Sequence, residues 1–391
     1  MFHKTFTITL LSLCILYSST VTTKADYQDA LSFNDKKTTE TKAPSTYSNP
    51  TKLDKLIVDK KTFEKYSKVH KVIPLGDETL SFSIRLANQG WEELDVGSTS
   101  SLSMSQRLFG NIARFRGPVI ENSRPYVIVQ SLQIEHEILA KHWLKNHIFS
   151  NGFTLQGKIK DISNTHANAA YVYLNNNQSY LVYSTAQIFD NHVIFVRFEL
   201  PIYATKRFYQ IQKNTIESFV FTNPTFGKIE ETAKFALMNA LKFEYPKSWE
   251  TKNNNFKNPA FLTSELHNMS AIGALDGIIR FEAIRRTKTT ALKEEIDKLR
   301  ARFVLKRKML FKKLFYSEDL PSYARFEYAK LEKYIVGFEQ NRYADHELWL
   351  HVLADENWYI FIYLLSPLED SNLKQWARNT RTMTLIAETF Q

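Results

Sequence analysis

The chain has 391 residues, with 51 Lys and Arg against 41 Asp and Glu and a formal net charge of +10. Apolar residues at 43% and charged residues at 24% fit folded domains, two by length, and exclude a largely disordered chain. Eleven Gly and eleven Pro exclude collagen-like and Gly-rich architectures, and one cysteine, Cys14, excludes an internal disulfide and a Cys-based zinc site.

Residues 1–25 read as an export signal. His3 and Lys4 give a positive start, and no charge follows from Thr5 to Thr23. The apolar centre runs from Leu10 to Tyr17, and Thr23-Lys24-Ala25 offers small residues at −3 and −1 of a cleavage after Ala25. Two other readings compete with it. One is an uncleaved anchor, weakened by the Ser and Thr in the window. The other is a lipobox at Leu11-Ser12-Leu13-Cys14, weakened by Leu13 where a small residue belongs. Cleavage leaves a cysteine-free chain, which fits a Gram-negative periplasm. Residues 26–56 are polar, with a Thr/Lys-rich run at 36–42, and read as a disordered tether; a docking peptide is the alternative.

From residue 57 the sequence becomes globular and divides into two related halves, 57–224 and 228–391. Asn191-x-x-Ile194-Phe195-x5-Pro201 returns as Asn357-x-x-Ile360-Phe361-x5-Pro367, a shift of 166 residues throughout. Leu80, Phe82, Ile84 and Leu86 alternate with polar residues as in a half-buried strand, and Trp91 follows. In the second half Leu241, Phe243 and Tyr245 do the same, and Pro246-Lys247-Ser248-Trp249 follows. Further strands are expected at Tyr126–Ile134, then at Tyr171–Leu174 and Tyr180–Ser184 across the turn Asn175–Gln178. The second half offers Gly277–Ile284, Tyr323–Tyr328, Tyr334–Phe338, Leu348–Leu353 and Tyr359–Leu364. Helices are expected at Ile138–Ser150 and Thr289–Phe315, with closing segments at Ile216–Phe221 and Leu385–Phe390. Hairpins with inserted helices predict an α+β fold: two tandem antiparallel-sheet α/β/α sandwich domains from an internal duplication.

Phe243-Glu244-Tyr245-Pro246-Lys247-Ser248-Trp249 resembles the strand-Pro-turn-Trp opening of PsbP-like domains, whose periplasmic members include the DcrB-like proteins. Ile216-Glu217-Ser218-Phe219-Val220-Phe221 resembles their closing segment, with its Ser-Phe pair. The first half departs at Ala87-Asn88-Gln89-Gly90, where the Pro turn is missing. The second half departs at Glu388-Thr389-Phe390. The resemblance implies an extrinsic assembly or accessory subunit with a binding role.

No motif supplies catalysis. Gly-x-Ser-x-Gly and a Gly-rich phosphate loop are missing from the sequence. On one helix His136 and His142 would lie about 240° apart, and His142 and His147 about 140° apart, too far round to share a metal. Tyr171, Tyr173, Tyr180 and Tyr183 favour packing across strands over lining a ligand groove. Trp91 and Trp249 read as equivalent core anchors. No cofactor, metal or catalytic residue is therefore expected.

Charge is the feature that stands out. Twelve basic residues lie between Arg285 and Lys313, opposed by Glu294, Glu295 and Asp297 alone. Leu292, Ile296, Leu299, Phe303, Leu310 and Leu314 recur at helical spacing, which predicts a basic helix over 289–315, roughly 40 Å long. Its candidate partner-binding residues are Arg300, Arg302, Lys306, Arg307, Lys308, Lys312 and Lys313. A solvated face on a core helix is the plain alternative. The partners that fit the charge are an acidic protein or an anionic membrane surface, with nucleic acid last because an exported protein seldom meets it. The expected role is an exported, non-catalytic binding or assembly protein of the bacterial envelope, an accessory subunit of an envelope or secretion complex. The alternatives are a peripheral membrane protein in lipid or lipoprotein traffic and, third, an enzyme.

Overall fold

In the first half, the computed structural model places helix α1 at Lys60–Lys65, followed by strands β1 (Ser67–Val72), β2 (Phe82–Ala87), β3 (Glu92–Leu94), β4 (Phe109–Arg116) and β5 (Tyr126–Gln133). Helix α2 (Ala140–Ser150) then leads into β6 (Thr154–Ser163), β7 (His166–Asn175), β8 (Gln178–Phe189) and β9 (His192–Pro201), and α3 (Thr205–Glu217) and β10 (Val220–Phe221) close the half. The second half has β11 (Thr232–Leu237), β12 (Leu241–Pro246), β13 (Trp249–Asn255), β14 (Phe261–Met269) and β15 (Leu275–Arg285). It continues with α4 (Leu292–Arg307), β16 (Met309–Asp319), β17 (Tyr328–Phe338), β18 (Asn341–Ala354), β19 (Trp358–Pro367) and α5 (Leu373–Glu388). The structure describes residues 59–74, 78–88, 90–96, 109–120, 123–175, 177–223, 229–269, 275–320, 326–339 and 341–391. The expected signal at 1–25 and tether at 26–56 lie outside the described residues, as does the first half of the strand expected at Tyr323–Tyr328.

The two halves share one topology. Each has a seven-stranded antiparallel sheet, in the order β3-β4-β5-β9-β8-β7-β6 and β13-β14-β15-β19-β18-β17-β16. A hairpin accompanies each sheet, β1-β2 extended by β10 in the first half and β11-β12 in the second. The 166-residue shift read from the sequence falls on β9 and β19, both ten residues long. Asn191 and Asn357 hold the same place, since the N–H of Ile134 donates to the Asn191 carbonyl at 2.7 Å and that of Arg286 to Asn357 at 2.8 Å. Trp91 and Trp249 also correspond, because Glu92 faces Arg116 as Glu250 faces His267 on the next strand. Trp249 is buried in its core, whereas Trp91 is half-buried and packs edge-on against Phe198.

Alternation along the central strands makes each sheet apolar on both faces. In β9 Val193 and Phe195 point towards α2, and Ile194, Val196, Phe198 and Leu200 towards α3 and the hairpin. In β19 Tyr359, Phe361 and Tyr363 point towards α4, and Ile360, Ile362 and Leu364 towards α5. Each domain is therefore an α/β/α sandwich with two core layers. The closing helices are tied down by buried amides. Gln212 on α3 donates to the carbonyls of Leu181 (2.9 Å) and Phe198 (2.6 Å). Asn379 on α5 donates to Asp276 O at 3.0 Å and approaches so closely that a Cβ at Gly277 would collide with it.

One expectation is overturned. The helix predicted over 289–315 ends at Arg307, and its last stretch is the strand β16. Lys308 takes a left-handed conformation (φ 54°), and its N–H closes on the Phe303 carbonyl, so the chain reverses without a glycine. β16 is the outermost strand of its sheet, and most of its side chains are exposed whichever face they take. The period-two alternation that marks a half-buried strand is consequently missing, and Leu310 and Leu314 mimic a helical repeat.

The halves meet through α2. Lys145 reaches Glu369 at 2.8 Å, Arg381 on α5 reaches Glu137 at 3.3 Å, and His142 lies edge-on to Trp376 at 4.9 Å. Glu230, in the segment between the halves, accepts from the N–H of Ser248 at 2.9 Å and lies 3.8 Å from His136.

Candidate interaction surface

Helix α4 sits on its sheet through Leu299 and Phe303, which pack with Met309, Val336, Phe361 and Tyr363. The Phe303 ring meets Tyr363 edge-on at 4.9 Å. Glu294 and Glu295 occupy the first turn and Lys306 and Arg307 the last, as the helix dipole favours.

The sheet face beneath α4 carries three buried carboxylates, Glu265, Glu282 and Glu332. Arg302 pairs with Glu282, which also accepts from the Tyr363 hydroxyl at 3.0 Å and lies 3.3 Å from Arg280 Nε. Arg280 links on to Glu265 at 2.8 Å, and His267 lies 3.0 Å from the same carboxylate. Arg300 donates to Glu332 at 3.0 Å and to the Tyr334 hydroxyl at 2.8 Å, and Lys330 reaches Glu332 at 3.2 Å. Burial alone would raise the Glu332 carboxyl, but hydrogen bonds from Tyr334 and Lys330 and the Arg300 charge hold it below the ordinary value. Burial likewise opposes ionisation of Glu265, and bonds from Asn253 and His267 together with Arg280 outweigh it. The Tyr334 hydroxyl is pushed up to about 12, first by burial and then by its bond to Glu332.

The seven candidate cations thus divide. Arg300 and Arg302, each partly exposed, are engaged with buried carboxylates of their own domain. Arg307 lies over the Tyr363 ring, 5.5 Å from its centroid, and Lys312 reaches Asp345 at 2.5 Å. Lys306, Lys308 and Lys313 are exposed and, among the described residues, carry no ion pair.

Next to these lysines in the chain are exposed apolar side chains that sequence reasoning missed. Leu305 is 69% exposed, Leu314 50%, and Val304, Leu310 and Phe315 each about two-fifths exposed. Leu310 and Leu314 were expected on a buried helix face. No periodic signal distinguishes them, since Val304-Leu305-Lys306-Arg307-Lys308-Met309-Leu310 reads equally well as an amphipathic helix. Helix end, reversal and edge strand together form a basic and apolar rim along one edge of the second domain.

The other candidates resolve as structure. His147 is buried, stacked on Trp143 at 5.3 Å and against Phe195 at 4.5 Å, and burial lowers it to about 3. Burial beside Trp376 lowers His142 to about 4. Tyr171 is buried, Tyr173 donates to Glu199 at 2.9 Å, and Tyr173 and Tyr180 stack at 5.3 Å. Among the described residues no group of three or more His, Cys, Asp or Glu is placed to hold a metal, and no helix is long and apolar enough to cross a membrane. A shallow cavity of about 200 Å³ beside α1 is lined by Lys60, Glu64, Arg85, Asn214, Glu217 and Ser218. It mixes both charges, and Arg85 is committed to the Glu64 carbonyl at 3.3 Å.

No family model matches the chain, and no curated protein does. Among solved structures, the solution structure of cyanobacterial PsbP from Synechocystis sp. PCC 6803 is similar at 12% identity and a TM-score of 0.30, covering 41% of this chain and 91% of that one. The crystal structure of a Pseudomonas aeruginosa protein of unknown function is similar at 13% identity and a TM-score of 0.21, covering 39% of this chain and 95% of that one. At these values the likenesses settle neither family nor function, and it is the strand order repeated in both halves that makes the chain a tandem pair of antiparallel α+β sandwiches.

Proposed function

We propose that the chain is a non-catalytic binding protein of the bacterial envelope, built of two PsbP-like domains, that attaches to an acidic surface through the α4–β16 rim. The observation that carries this reading is the separation of the cations into two sets. One set is consumed by Glu282 and Glu332, while Lys306, Lys308 and Lys313 point outward beside exposed apolar side chains. A rim that only stabilised its own domain would not need the second set, because exposed charges add little to folding while a one-sign cluster attracts an opposite partner. The accessory-subunit role and export to the periplasm belong to the same proposal, supported by the uncharged Thr5–Thr23 stretch and the small residues at Thr23 and Ala25.

Copurification from solubilised envelopes tests it. Lys306→Glu, Lys308→Glu and Lys313→Glu together should abolish envelope association, and raised salt should mimic the variant, because the Debye length shrinks from about 10 Å at 0.1 M to about 3 Å at 1 M. Association that survives the triple reversal at low salt defeats the reading.

A further inference from the structure

We infer that the acidic surface met by this rim is an anionic lipid bilayer; the inference rests on the binding reading above and names its partner. The reversal at Lys308 is an exposed tip, where a helix end turns directly into an edge strand. Leu305 and Leu310 flank the tip on its two arms, with Val304, Leu314 and Phe315 further along. Lys306, Lys308 and Lys313 alternate with them in the chain. Such interleaving suits a headgroup layer: apolar side chains enter the acyl boundary, and lysines bury their stems while their ammonium groups stay at phosphate level. A folded acidic protein would instead be matched by a polar rim around an apolar centre, with arginine favoured over lysine. Here the arginines Arg300, Arg302 and Arg307 are partly exposed but engaged with Glu332, Glu282 and Tyr363 of their own domain, and the exposed cations without an ion pair among the described residues of the tip are lysines.

The carboxylates near this edge leave the tip basic. Asp345 is paired with Lys312, Glu318 and Asp319 lie at the far end of β16, and Glu339, whose backbone N–H donates to the Lys308 carbonyl at 3.1 Å, is one acid against the three lysines. The equivalent edge strand of the first half, β6, has Lys158, Lys160 and Ile162, but its turn at Asn151, Gly152 and Phe153 carries no lysine and has one exposed apolar neighbour, Phe149.

A fluorophore sensitive to water reads the contact locally. In the full chain carrying Cys14→Ser, the probe is attached at Leu305→Cys, or at Ile162→Cys as the internal control, and vesicles of equal phosphatidylglycerol and phosphatidylcholine are added at low salt. The probe at 305 should shift to the blue and brighten, the probe at 162 should not, and pure phosphatidylcholine should leave both unchanged. Adding Lys306→Glu, Lys308→Glu and Lys313→Glu should weaken partitioning by roughly fivefold per lysine. A probe at 305 that stays in water with the anionic vesicles overturns the inference. If envelope copurification then still depends on the three lysines, the binding reading stands with a protein partner; if it does not, both fail. A blue shift that persists in the triple reversal also overturns it, because the charge would then play no part.

Discussion

Helices α2 and α4 occupy the same place in two copies of one fold, and they have opposite surroundings. Each begins at the same distance from its preceding strand, and each leads into the sheet's outermost strand. α2 is eleven residues long and meets the other domain through Lys145 to Glu369 and His142 to Trp376, with Glu137 just ahead of it reaching Arg381. α4 has sixteen residues, and the five beyond the length of α2 carry Phe303 inward and Val304, Leu305 and Lys306 outward. Duplication therefore supplied a scaffold twice, while the use of its first helix diverged. One copy became a seam within the chain and the other an outward rim.

The equivalent tryptophans give the largest test of this correspondence. Trp249→Ala should cost roughly 3–5 kcal/mol, because the side chain is buried in a core that cannot fully collapse. Trp91→Ala should cost clearly less, the ring being half-buried, and urea unfolding of the two variants checks the order. Equal losses would break the claim that the second core depends more on its anchor.

Arg302 comes next. It stands where α2 has Ser150, and its removal leaves Glu282 buried with less compensation. Arg302→Ala should destabilise by roughly 3 kcal/mol in thermal or urea unfolding, while Ser150→Ala should have almost no effect. The same contrast separates Arg302 from Lys306. Lys306→Glu should leave the unfolding midpoint in place, because its ammonium is exposed and opposes no buried group.

The third test concerns acid. His147 occupies the position that Leu299 fills in α4, and burial holds it at about 3 against an ordinary value of 6.5. The unfolded chain therefore binds the extra proton between those values. The stability is fully present above pH 6.5 and declines as pH falls towards 3, by at most about 1.4 kcal/mol per unit. His147→Leu, which copies the second half, should flatten that slope for the first domain. Urea midpoints at pH 7 and 4.5, read by the near-ultraviolet signal, give the comparison. An unchanged slope would place the acid sensitivity elsewhere, with His351, also lowered to about 3 by burial, as the next candidate.

The repeat was legible because β9 and β19 are central strands, buried on both faces, where sequence freedom is least. Their bounds differ by the same 166 residues as the motifs they contain. The helix at α2 and the hairpin β7-β8 were legible for similar reasons, the latter through its Asn turn with Asn177 at φ 62°. β4, β6 and β14 were not read, and β16 was read as helix. The edge strands β6 and β16 lack a buried face to impose alternation, β4 carries a register shift that disturbs what alternation there is, and β14 is buried on both faces and so has none. The rim was half legible. Its charge was plain, but which cations face inward depends on Glu282 and Glu332, which lie on strands distant in sequence. Pairing of that kind is set by the fold and leaves no local signal.

The strand order has a kinetic consequence. β9 is the last strand of its sheet to leave the ribosome, yet it lies in the middle, paired with β5 on one side and β8 on the other. Until it inserts, the sheet exists as two separate pieces with open edges, and the same holds for β19 in the second half. Joining Gln133 to His192 closes a loop of 59 residues, and joining Arg285 to Trp358 closes one of 73, so both steps are slow compared with hairpin formation. The two inserting strands have the same length and share the Ile-Phe pair, but β9 buries Arg197 and Glu199 where β19 has Tyr363 and Leu365. Exchange of the two strands would bring Arg197 and Glu199 into the apolar layer under α4, so this buried pair guards each repeat against completion by the other's strand.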